Sequence, residues 1–323
     1  MLKKFAALLT LIVSSVFIGY YVFLHVSLAP IPTLSGQFIS ATLKIDGNNR
    51  SFHYYLPADI DVDRPLIFAL HGSKGDGEKM RQLTAYQFDH IADRDHIIAV
   101  YPDGYKHHWH DCRASASYAA NVEDIDDIAF FNAMINYFSE NHQIDRSRVF
   151  ATGFSNGGHM VYRLALEMPE AFAALAPIAA NLPIDDNLDC QQSSTPVSIA
   201  ILNGTEDPIN PYEGGLVVVA GDKSRGVVTS STDSANYFRQ LSGADKAALH
   251  RQIPERDGDS ATRITLTHWQ NDNNIQVRLY RLTGSGHVIP STLIRYGRFY
   301  GGDAGDMDAP IELWQFFQSA SKP

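Results

Sequence analysis

The chain alternates between short continuous runs of apolar residues and longer segments in which apolar residues recur every three or four positions. The runs at 66–70 and 97–101 contain no charged residue. Such runs are expected of strands that are buried on both faces of a sheet. Earlier in the chain, runs at 41–45 and 51–56 flank the turn-forming residues 46–49, which predicts an antiparallel hairpin. We therefore expect a sheet that begins with a hairpin and continues with buried strands.

Helical spacing recurs between the later strands. Within 124–141, Ile128, Phe131, Ile135 and Phe138 follow one another with the period of a helix. Further strands are predicted at 149–151, 173–180, 197–202 and 275–282, and further helices at 156–167, 231–241 and 310–317. This alternation predicts an α/β fold with a mostly parallel sheet and helices on both faces.

The N-terminal segment carries a targeting pattern. Lys3 and Lys4 precede an apolar stretch that extends to about residue 30, and no charged residue follows before Lys44. This length is that of a membrane-spanning helix, which favours an uncleaved anchor with the folded part facing outward; a cleaved signal peptide remains the alternative. Either reading predicts export to the periplasm or the extracellular space. The expected division is a signal anchor or signal peptide at 1–30, a linker at 31–38 and one folded domain at 39–323.

Composition limits the partners of the domain. The chain has 323 residues, 45% of them hydrophobic, and a formal net charge of −10 without a cluster of Lys or Arg. An acidic chain of this kind is not expected to bind nucleic acid, which requires a basic surface. The same acidity opposes the approach of polyanions, so neutral substrates are favoured.

Candidate chemistry begins at Gly153-Phe154-Ser155-Asn156-Gly157, which fits the G-x-S-x-G pattern. A predicted strand ends just before this segment and a predicted helix begins just after it, which is the setting of a nucleophile elbow. The alternative is a glycine-rich turn with a serine that merely faces solvent. In the elbow interpretation Ser155 is the nucleophile.

A base and an acid follow Ser155 at the ends of later strands. The strand at 197–202 leads into Glu206 and Asp207, and the strand at 275–282 leads into His287. The order Ser, Asp, His is that of the α/β-hydrolase fold, and all three positions lie at the strand ends where α/β sheets bind ligands. The sequence therefore predicts His287 as general base and a carboxylate, Asp207 or Glu206, as the group that orients it.

An oxyanion hole needs two backbone N–H groups beside the nucleophile. The fold supplies one from the residue after the nucleophile, here Asn156, and one from the loop after the strand that ends before His71. Ser73 is the candidate for the second donor. His71 itself is expected to shape that loop rather than to act as a base.

Six separated segments carry a family resemblance. They are Leu70-His71-Gly72, Tyr101-Pro102-Asp103-Gly104, Asp126-Asp127-Ile128, Gly153-Phe154-Ser155-Asn156-Gly157-Gly158, Asn203-Gly204-Thr205-Glu206-Asp207 with Pro211-Tyr212, and Gly284-Ser285-Gly286-His287. Over residues 39–317 they resemble successive motifs of the esterase family that includes polyhydroxybutyrate depolymerases and related feruloyl esterases. The resemblance implies an exported serine hydrolase of small or polymeric carboxylic esters that needs no cofactor, with Asp207 as the acid and Tyr212 at the cleft.

One segment departs from the family pattern. The catalytic histidine of the family is usually followed by Thr or Val and then Trp-Pro-Gly, whereas His287 is followed by Val288-Ile289-Pro290-Ser291. The missing tryptophan bears on substrate preference and leaves the triad unaffected.

Two loops invite further interpretation. Cys112 and Cys190 are expected to pair as a disulfide in an oxidising compartment, with two free buried thiols as the alternative. Trp109 follows two adjacent histidines, and we interpret this loop as a substrate-cleft wall rather than a metal site, because adjacent ligands rarely complete a tetrahedral shell. The acidic loop of Asp303, Asp306 and Asp308 lacks calcium-loop spacing and is expected to be solvated, so no metal is predicted.

Two other functions use the same residues. A serine peptidase or amidase could carry the same triad, but such enzymes usually have a further specificity domain, and none is visible in the sequence. A non-catalytic binding module on this fold would tolerate loss of a triad member, and all three are present. An ester hydrolase is therefore favoured.

Overall fold

A computed structural model describes residues 2–320 of the chain, except 60, 61, 245, 247, 257 and 260, and the side chains from residue 13 onward. Twelve strands lie within these residues. They are β1 Gln37–Ile45, β2 Asn48–Leu56, β3 Arg64–Leu70, β4 Ile98–Pro102, β5 Ile144–Phe154, β6 Ala174–Ile178, β7 Ser198–Gly204, β8 Gly215–Leu216, β9 Val227–Val228, β10 Leu249–Gln252, β11 Arg263–Gln270 and β12 Gln276–Thr283.

Ten of these strands form one sheet in the order β1-β2-β4-β3-β5-β6-β7-β12-β11-β10. The central strands from β4 to β12 are parallel, whereas β1–β2 at one edge and β10–β11 at the other are antiparallel. The remaining two strands, β8 and β9, pair separately as a small antiparallel ribbon. Because β5, β7 and β12 run parallel, the loops that follow them open at the same edge of the sheet.

Eight α-helices accompany the sheet in the part of the chain that the structure describes. They are α1 Leu2–Phe23, α2 Gly77–Leu83, α3 Gln87–Asp95, α4 Ala119–Val122, α5 Asp127–His142, α6 Asn156–Glu167, α7 Ser231–Ser242 and α8 Ala309–Ser319. Residues of α5, α6 and α7 belong to one hydrophobic cluster, and residues of α2, α3 and α8 belong to another. Strand β3 contributes Leu66, Phe68 and Leu70 to the first cluster and Ile67 and Ala69 to the second. Successive side chains of a strand point to opposite faces, so a fully apolar strand serves both cores.

The predicted hairpin and the predicted central strands and helices are present, with boundaries that differ by a few residues. The turn of the hairpin is only Asp46-Gly47, because Asn48 and Asn49 already belong to β2. Helices α2 and α3 and strands β10 and β11 were not predicted. Strand β11 alternates buried Ile264 and Leu266 with more exposed polar residues, the pattern of a strand near a sheet edge.

The N-terminal segment is helical from Leu2 to Phe23. Within the residues whose side chains are described, no helix is long and apolar enough to cross a membrane; residues 1–12 lie outside that range. The expected linker at 31–38 contacts the domain, because the N–H of Ser35 donates to Asp93 and that of Gly36 donates to Tyr55. Strand β1 begins two residues before the expected start of the domain.

Candidate active site

Ser155 occupies the sharp turn between β5 and α6. Its φ of 55° and ψ of −117° are a conformation that residues with a side chain rarely adopt. The backbone is held there from both sides, since the Ser155 N–H donates to the carbonyl of Ile178 and its own carbonyl accepts from His159, each at 2.9 Å. The turn presents the half-buried Ser155 side chain above the first turn of α6.

The elbow is close-packed around glycine. A Cβ atom added to Gly157 would lie 2.5 Å from the carbonyl oxygen of Leu70. This separation is shorter than van der Waals contact, so a residue with a side chain would push α6 away from β3. Close packing therefore explains why Gly157, the last residue of the G-x-S-x-G pattern, has no side chain.

His287 and Asp207 meet at the ends of adjacent parallel strands. Asp207 follows β7 and His287 follows β12, and the distance from His287 Nδ1 to Asp207 Oδ2 is 2.7 Å. The other carboxylate oxygen of Asp207 accepts the N–H groups of Ile209 and Asn210, both at 2.8 Å. A carboxylate that accepts three hydrogen bonds has a fixed orientation. Because Nδ1 of His287 donates to this carboxylate, Nε2 of the neutral ring is the acceptor.

Glycine also brings these two loops together. A Cβ atom on Gly204 would lie 2.3 Å from the carbonyl oxygens of Ser285 and Gly286, so the chain can pass here only without a side chain. The N–H of Glu206 donates to the carbonyl of Ser285 across the same contact. The Glu206 side chain is exposed, whereas Asp207 is buried against His287. Of the two carboxylates considered, Asp207 is the one that meets the imidazole.

Ser155 and His287 line one cavity of about 290 Å³. The described hydrogen bonds do not include one between Ser155 Oγ and His287, and such bonds are often long in ligand-free serine hydrolases. Apolar side chains form much of the wall: Leu83, Phe154, Ile209, Val217, Val219, Phe299 and Tyr300. The cavity is therefore large enough and apolar enough to hold the acyl or alcohol part of a small ester.

Ser73 and Asn156, the predicted oxyanion donors, both line this cavity. Ser73 follows β3, and Asn156 is the first residue of α6. Among the described turn and loop hydrogen bonds, none uses the N–H of either residue. Both residues thus line the cavity beside Ser155, and the role of their N–H groups stays a prediction.

The side chain of Asn156 anchors a buried polar network. Its Oδ1 accepts the N–H of Trp109 at 2.8 Å, and its Nδ2 donates to Asp111 at 2.7 Å and to the hydroxyl of Tyr118 at 3.1 Å. Asp111 is also bonded to the guanidinium of Arg113 at 2.6 Å. Burial raises the pKa of Asp111, but the charge of Arg113 together with the hydrogen bonds from Arg113 and Tyr118 and the influence of His159 outweighs burial and holds that pKa well below its usual value. We call these five residues the Asn156 network.

The predicted disulfide between Cys112 and Cys190 is present, with the two Cα atoms 5.0 Å apart. Cys112 lies between Asp111 and Arg113 in the sequence, and the N–H of Asp189 donates to the Cys112 carbonyl. The disulfide therefore ties the Asn156 network to the loop that follows β6.

Two predicted cleft residues lie elsewhere. Trp109 is fully buried in the core, where its indole N–H donates to the carbonyl of His71, so it forms no wall of the cleft. The bond from its backbone N–H to Asn156 turns the loop inward. Tyr212 is also buried and contacts the guanidinium of Arg281, outside the residues that line the cavity. The aromatic part of the wall instead includes Phe154, Phe299 and Tyr300.

Sequence reasoning missed Phe299 and Tyr300 because they lie in a loop without a motif. The loop folds back on His287, whose N–H donates to the carbonyl of Tyr300 at 2.6 Å. Asn210 and Arg225, which also line the cavity, were missed for the same reason. The one available signal was that the 299–300 segment follows His287 and is aromatic.

One histidine near the cleft, His71, has structural partners for both of its ring nitrogens. His71 Nδ1 donates to the carbonyl of Gly72, and its Nε2 accepts the N–H of Gly104 at 2.9 Å. Burial lowers the pKa of His71 to about 4, so it is neutral at pH 7 and shapes its loop as expected. Among the described residues, no three or more His, Cys, Asp or Glu side chains are grouped so that they could hold a metal ion.

The acidic C-terminal loop uses its carboxylates to hold the backbone. Asp306 accepts the N–H of Arg256 at 2.7 Å, and Asp308 accepts the N–H of Thr292 at 2.8 Å. Both side chains are buried, which differs from the solvated loop expected from the sequence. Their role is to fix the segment that follows His287.

Comparison with known proteins gives a consistent assignment. The family profile described as "Esterase PHB depolymerase" matches residues 50–249. Feruloyl esterase C of Emericella nidulans is 27% identical over 84% of this chain and 85% of its own. The bifunctional acetylxylan esterase/xylanase XynS20E of Neocallimastix patriciarum is 24% identical over 77% of this chain but only 32% of its own, so this chain spans about a third of that enzyme.

The solved structure of an acetyl xylan esterase from Aspergillus awamori superimposes with a TM-score of 0.56 over 87% of this chain and 100% of its own, at 15% identity. This similarity confirms the predicted α/β-hydrolase fold. The relatives are named esterases, which supports carboxylic ester hydrolysis as the general activity.

Proposed function

Because the chain belongs to the esterase PHB depolymerase family, we propose that it hydrolyses carboxylic esters through an acyl-enzyme formed on Ser155. His287 is the general base and Asp207 the group that orients it. One observation carries the proposal: His287, joined at 2.7 Å to the buried Asp207, lines the same cavity as a serine that is held in a strained turn.

In the acylation step, Ser155 Oγ attacks the ester carbonyl carbon while His287 Nε2 accepts the serine proton. The bond between the carbonyl carbon and the alcohol oxygen then breaks, and the imidazolium returns the proton to that oxygen. Asp207 accepts the hydrogen bond from Nδ1 and stabilises the positive charge on the ring. The backbone N–H groups of Ser73 and Asn156 donate to the carbonyl oxygen when it becomes negative.

In the deacylation step, water enters after the alcohol has left. His287 takes a proton from this water while the water oxygen attacks the acyl carbon. The bond between the acyl carbon and Ser155 Oγ then breaks, and His287 returns the proton to Oγ. The products are a carboxylic acid and an alcohol. Every proton transfer uses the same imidazole, so no further acid or base is needed.

Substitution of the nucleophile tests the proposal. Ser155→Ala in the full-length protein is expected to lower kcat for 4-nitrophenyl butyrate by about 10⁴-fold or more. Ser73→Ala is the matched control, because it removes a hydroxyl from the same cavity and keeps the backbone N–H. Labelling with a fluorophosphonate, read by mass spectrometry, should occur on Ser155. Full activity of Ser155→Ala, or labelling at another serine, would sink the assignment.

We also propose that the protein is exported. The Cys112–Cys190 disulfide supports this, because stable disulfides form in oxidising compartments. Lys3 and Lys4 before a long apolar segment support retention in the membrane with the catalytic domain outside. Fractionation of cells that express the full-length chain tests both points. Recovery in the cytosolic fraction would contradict export, and release from membranes by alkaline carbonate would contradict an anchor.

A further inference from the structure

The cavity that holds Ser155 and His287 has a charge opposite to that of the whole protein. Lys74, Lys79, Arg113 and Arg225 line it, and its lining contains no Asp or Glu. The chain as a whole has a formal net charge of −10. A cleft lined by one sign of charge between low-dielectric walls focuses the electric field, so it attracts ions of the other sign. The cleft therefore favours anions although the protein surface is acidic.

The positive charges of the cleft are only partly neutralised. Arg113 is buried and paired with Asp111, so its charge is balanced within the Asn156 network. Arg225 pairs with Asp222 at 2.7 Å, but the Asp222 side chain is about half exposed and is screened by solvent. The described ion pairs include none for Lys74 or Lys79.

Lys74 and Arg225 act on the same neighbour, His108. Burial first, and then the charges of Arg225 and Lys74, lower the pKa of this histidine. Both cations therefore lie near one residue and line the same cavity, although Lys74 follows β3 and Arg225 precedes β9. Together they make a positive end to the cavity.

Three side chains in the lining, those of Arg225, Asn210 and His159, have a buried polar atom without a hydrogen-bond partner. Arg225 is 6% exposed and its Nε makes no hydrogen bond, while Asn210 is 1% exposed and neither its Nδ2 nor its Oδ1 makes one. Burial of an unpaired polar atom is costly, and most buried polar atoms in proteins are paired. Arg225 and Asn210 line the cavity with Ser155. Their unpaired atoms are inaccessible to solvent in the ligand-free protein, so they bind a polar ligand group only after the two side chains turn toward the cavity.

The chemistry of these atoms selects the ligand group. An arginine Nε–H and an amide N–H are both donors, and a carboxylate has two oxygens that accept such bonds strongly. The neighbouring Ile209, Val217 and Val219 are apolar. A ligand that matches this end of the cavity has an apolar body and one anionic end.

We propose that the preferred substrate is an acidic ester, a carboxylic ester that also carries a free carboxylate, bound by Arg225 and Asn210 and attracted by Lys74 and Lys79. This inference rests on the proposed function, because Ser155 must be the nucleophile. It differs from the preference for neutral substrates that the net charge predicts. The local charges prevail because distant surface charges are screened beyond about 8 Å at physiological salt.

Two matched pairs of esters test the proposal with the wild-type protein. 4-Nitrophenyl butyrate is compared with mono-4-nitrophenyl glutarate, which places the carboxylate on the acyl side. Phenyl butyrate is compared with 4-carboxyphenyl butyrate, which places it on the alcohol side. In at least one pair, kcat/KM is expected to be about tenfold higher for the acidic ester, as for a gained charge-assisted hydrogen bond.

The outcomes separate the two proposals. If neither acidic ester exceeds its neutral partner while Ser155→Ala abolishes hydrolysis of the neutral esters, the acidic-ester proposal is overturned and the proposed function stands. If no ester is hydrolysed in a Ser155-dependent manner, both are overturned.

Arg225→Met provides the second test, with Lys223→Met as the matched control. Lys223 is an exposed residue on the same segment that does not line the cavity. We expect Arg225→Met to reduce the ratio of acidic to neutral kcat/KM about tenfold, mainly through KM, and Lys223→Met to leave the ratio unchanged. An equal loss on both esters would assign Arg225 a structural role and refute the proposal.

Salt dependence keeps the proposal testable if Arg225→Met does not fold. In the wild-type protein, raising the ionic strength should lower kcat/KM for the acidic ester and leave the neutral ester nearly unchanged, since screening weakens attraction between charges. Identical salt dependence for both esters would contradict an anionic subsite.

Discussion

The two sides of Ser155 differ in how their polar groups are satisfied. On one side, the Asn156 network pairs its buried polar atoms with one another, and none of its side chains has a buried atom without a partner. On the other side, the segment from Ile209 to Val228 places Asn210 and Arg225 in the cavity with unpaired atoms. The first side can fix the position of the nucleophile. The second keeps its hydrogen-bonding capacity for a ligand.

This difference separates two tasks that a hydrolase must perform. Positioning of the reacting atoms requires groups that do not move, and a fully bonded network in a low-dielectric interior meets that need. Recognition requires groups whose bonds are completed only when substrate arrives, at a cost to the stability of the free protein. The His287–Asp207 pair lies between the two sides.

Loss of the acid is expected to have the largest effect of the four changes that follow. Asp207→Asn should lower kcat by about 10⁴-fold, because an amide cannot hold the imidazole in the required tautomer. Glu206→Gln, which changes the neighbouring exposed carboxylate, should retain activity. Ester hydrolysis by the two variants decides between them, and a large loss in Glu206→Gln with an active Asp207→Asn would reverse the assignment.

Loss of the disulfide, which lies beside the Asn156 network, is expected to have the next largest effect. The bond closes a loop with a sequence separation of 78 residues, and replacement of Cys112 and Cys190 by serine should lower the free energy of unfolding by about 4 kcal/mol. Denaturant unfolding of the double variant and of the reduced wild-type protein measures this loss. Unchanged unfolding midpoints in both would show that the rest of the Asn156 network suffices.

Acidification should destabilise the folded protein because it protonates the buried His71. The folded state depresses its pKa from the ordinary value of 6.5 to about 4, so the unfolded chain binds the proton more readily. The contribution of neutral His71 to the free energy of unfolding is complete above pH 6.5 and is lost as the pH falls toward 4. At about 1.4 kcal/mol per pKa unit, the loss is about 3 kcal/mol. Unfolding measured against pH should lose this slope in His71→Gln and keep it in His90→Gln, which changes an exposed histidine. Equal slopes in both variants would exclude His71.

The smallest expected effect is that of one hydroxyl in the Asn156 network. Tyr118→Phe removes the hydroxyl that bonds to Asn156, Asp111 and Arg113. We expect this change to lower the free energy of unfolding by about 1 kcal/mol. We expect kcat to fall about fivefold with little change in KM, because the elbow is less firmly held. Tyr137→Phe is the control, since its hydroxyl contacts only that of Tyr54. A rise in KM alone would indicate that Tyr118 contributes to substrate binding rather than to holding Ser155 in position.

The sequence predicts the central fold well because burial on two faces leaves a clear signal. Strands such as β3 and β4 are continuous apolar runs, and helix α6 was predicted with the boundaries it has. The elements that it missed include β10 and β11, which lie at a sheet edge where one face is solvated and the pattern is weaker. The predicted family and fold are confirmed, and the catalytic roles of Ser155, Asp207 and His287 stay predictions.

The cleft was predicted less well than the triad. Triad positions follow from topology, because strand ends at one edge of a parallel sheet converge. Which side chains of a loop face the cavity depends on contacts between distant segments: Trp109 turns inward because its N–H bonds to Asn156, 47 residues away. A pattern of residue types does not contain that information, so Trp109 and Tyr212 were assigned to the cleft and Asn210, Arg225, Phe299 and Tyr300 were missed.

The small ribbon of β8 and β9 has a consequence for how this enzyme could acquire new substrates. It belongs to one continuous excursion between β7 and α7 that pairs separately from the main sheet and supplies five residues of the cavity wall. An exchange between homologues of the part of this excursion that follows Asp207 would transplant a recognition surface as a unit, while Ser155, Asp207, His287 and the elbow remain unchanged. Mutation and selection can therefore diversify specificity here without passing through inactive intermediates.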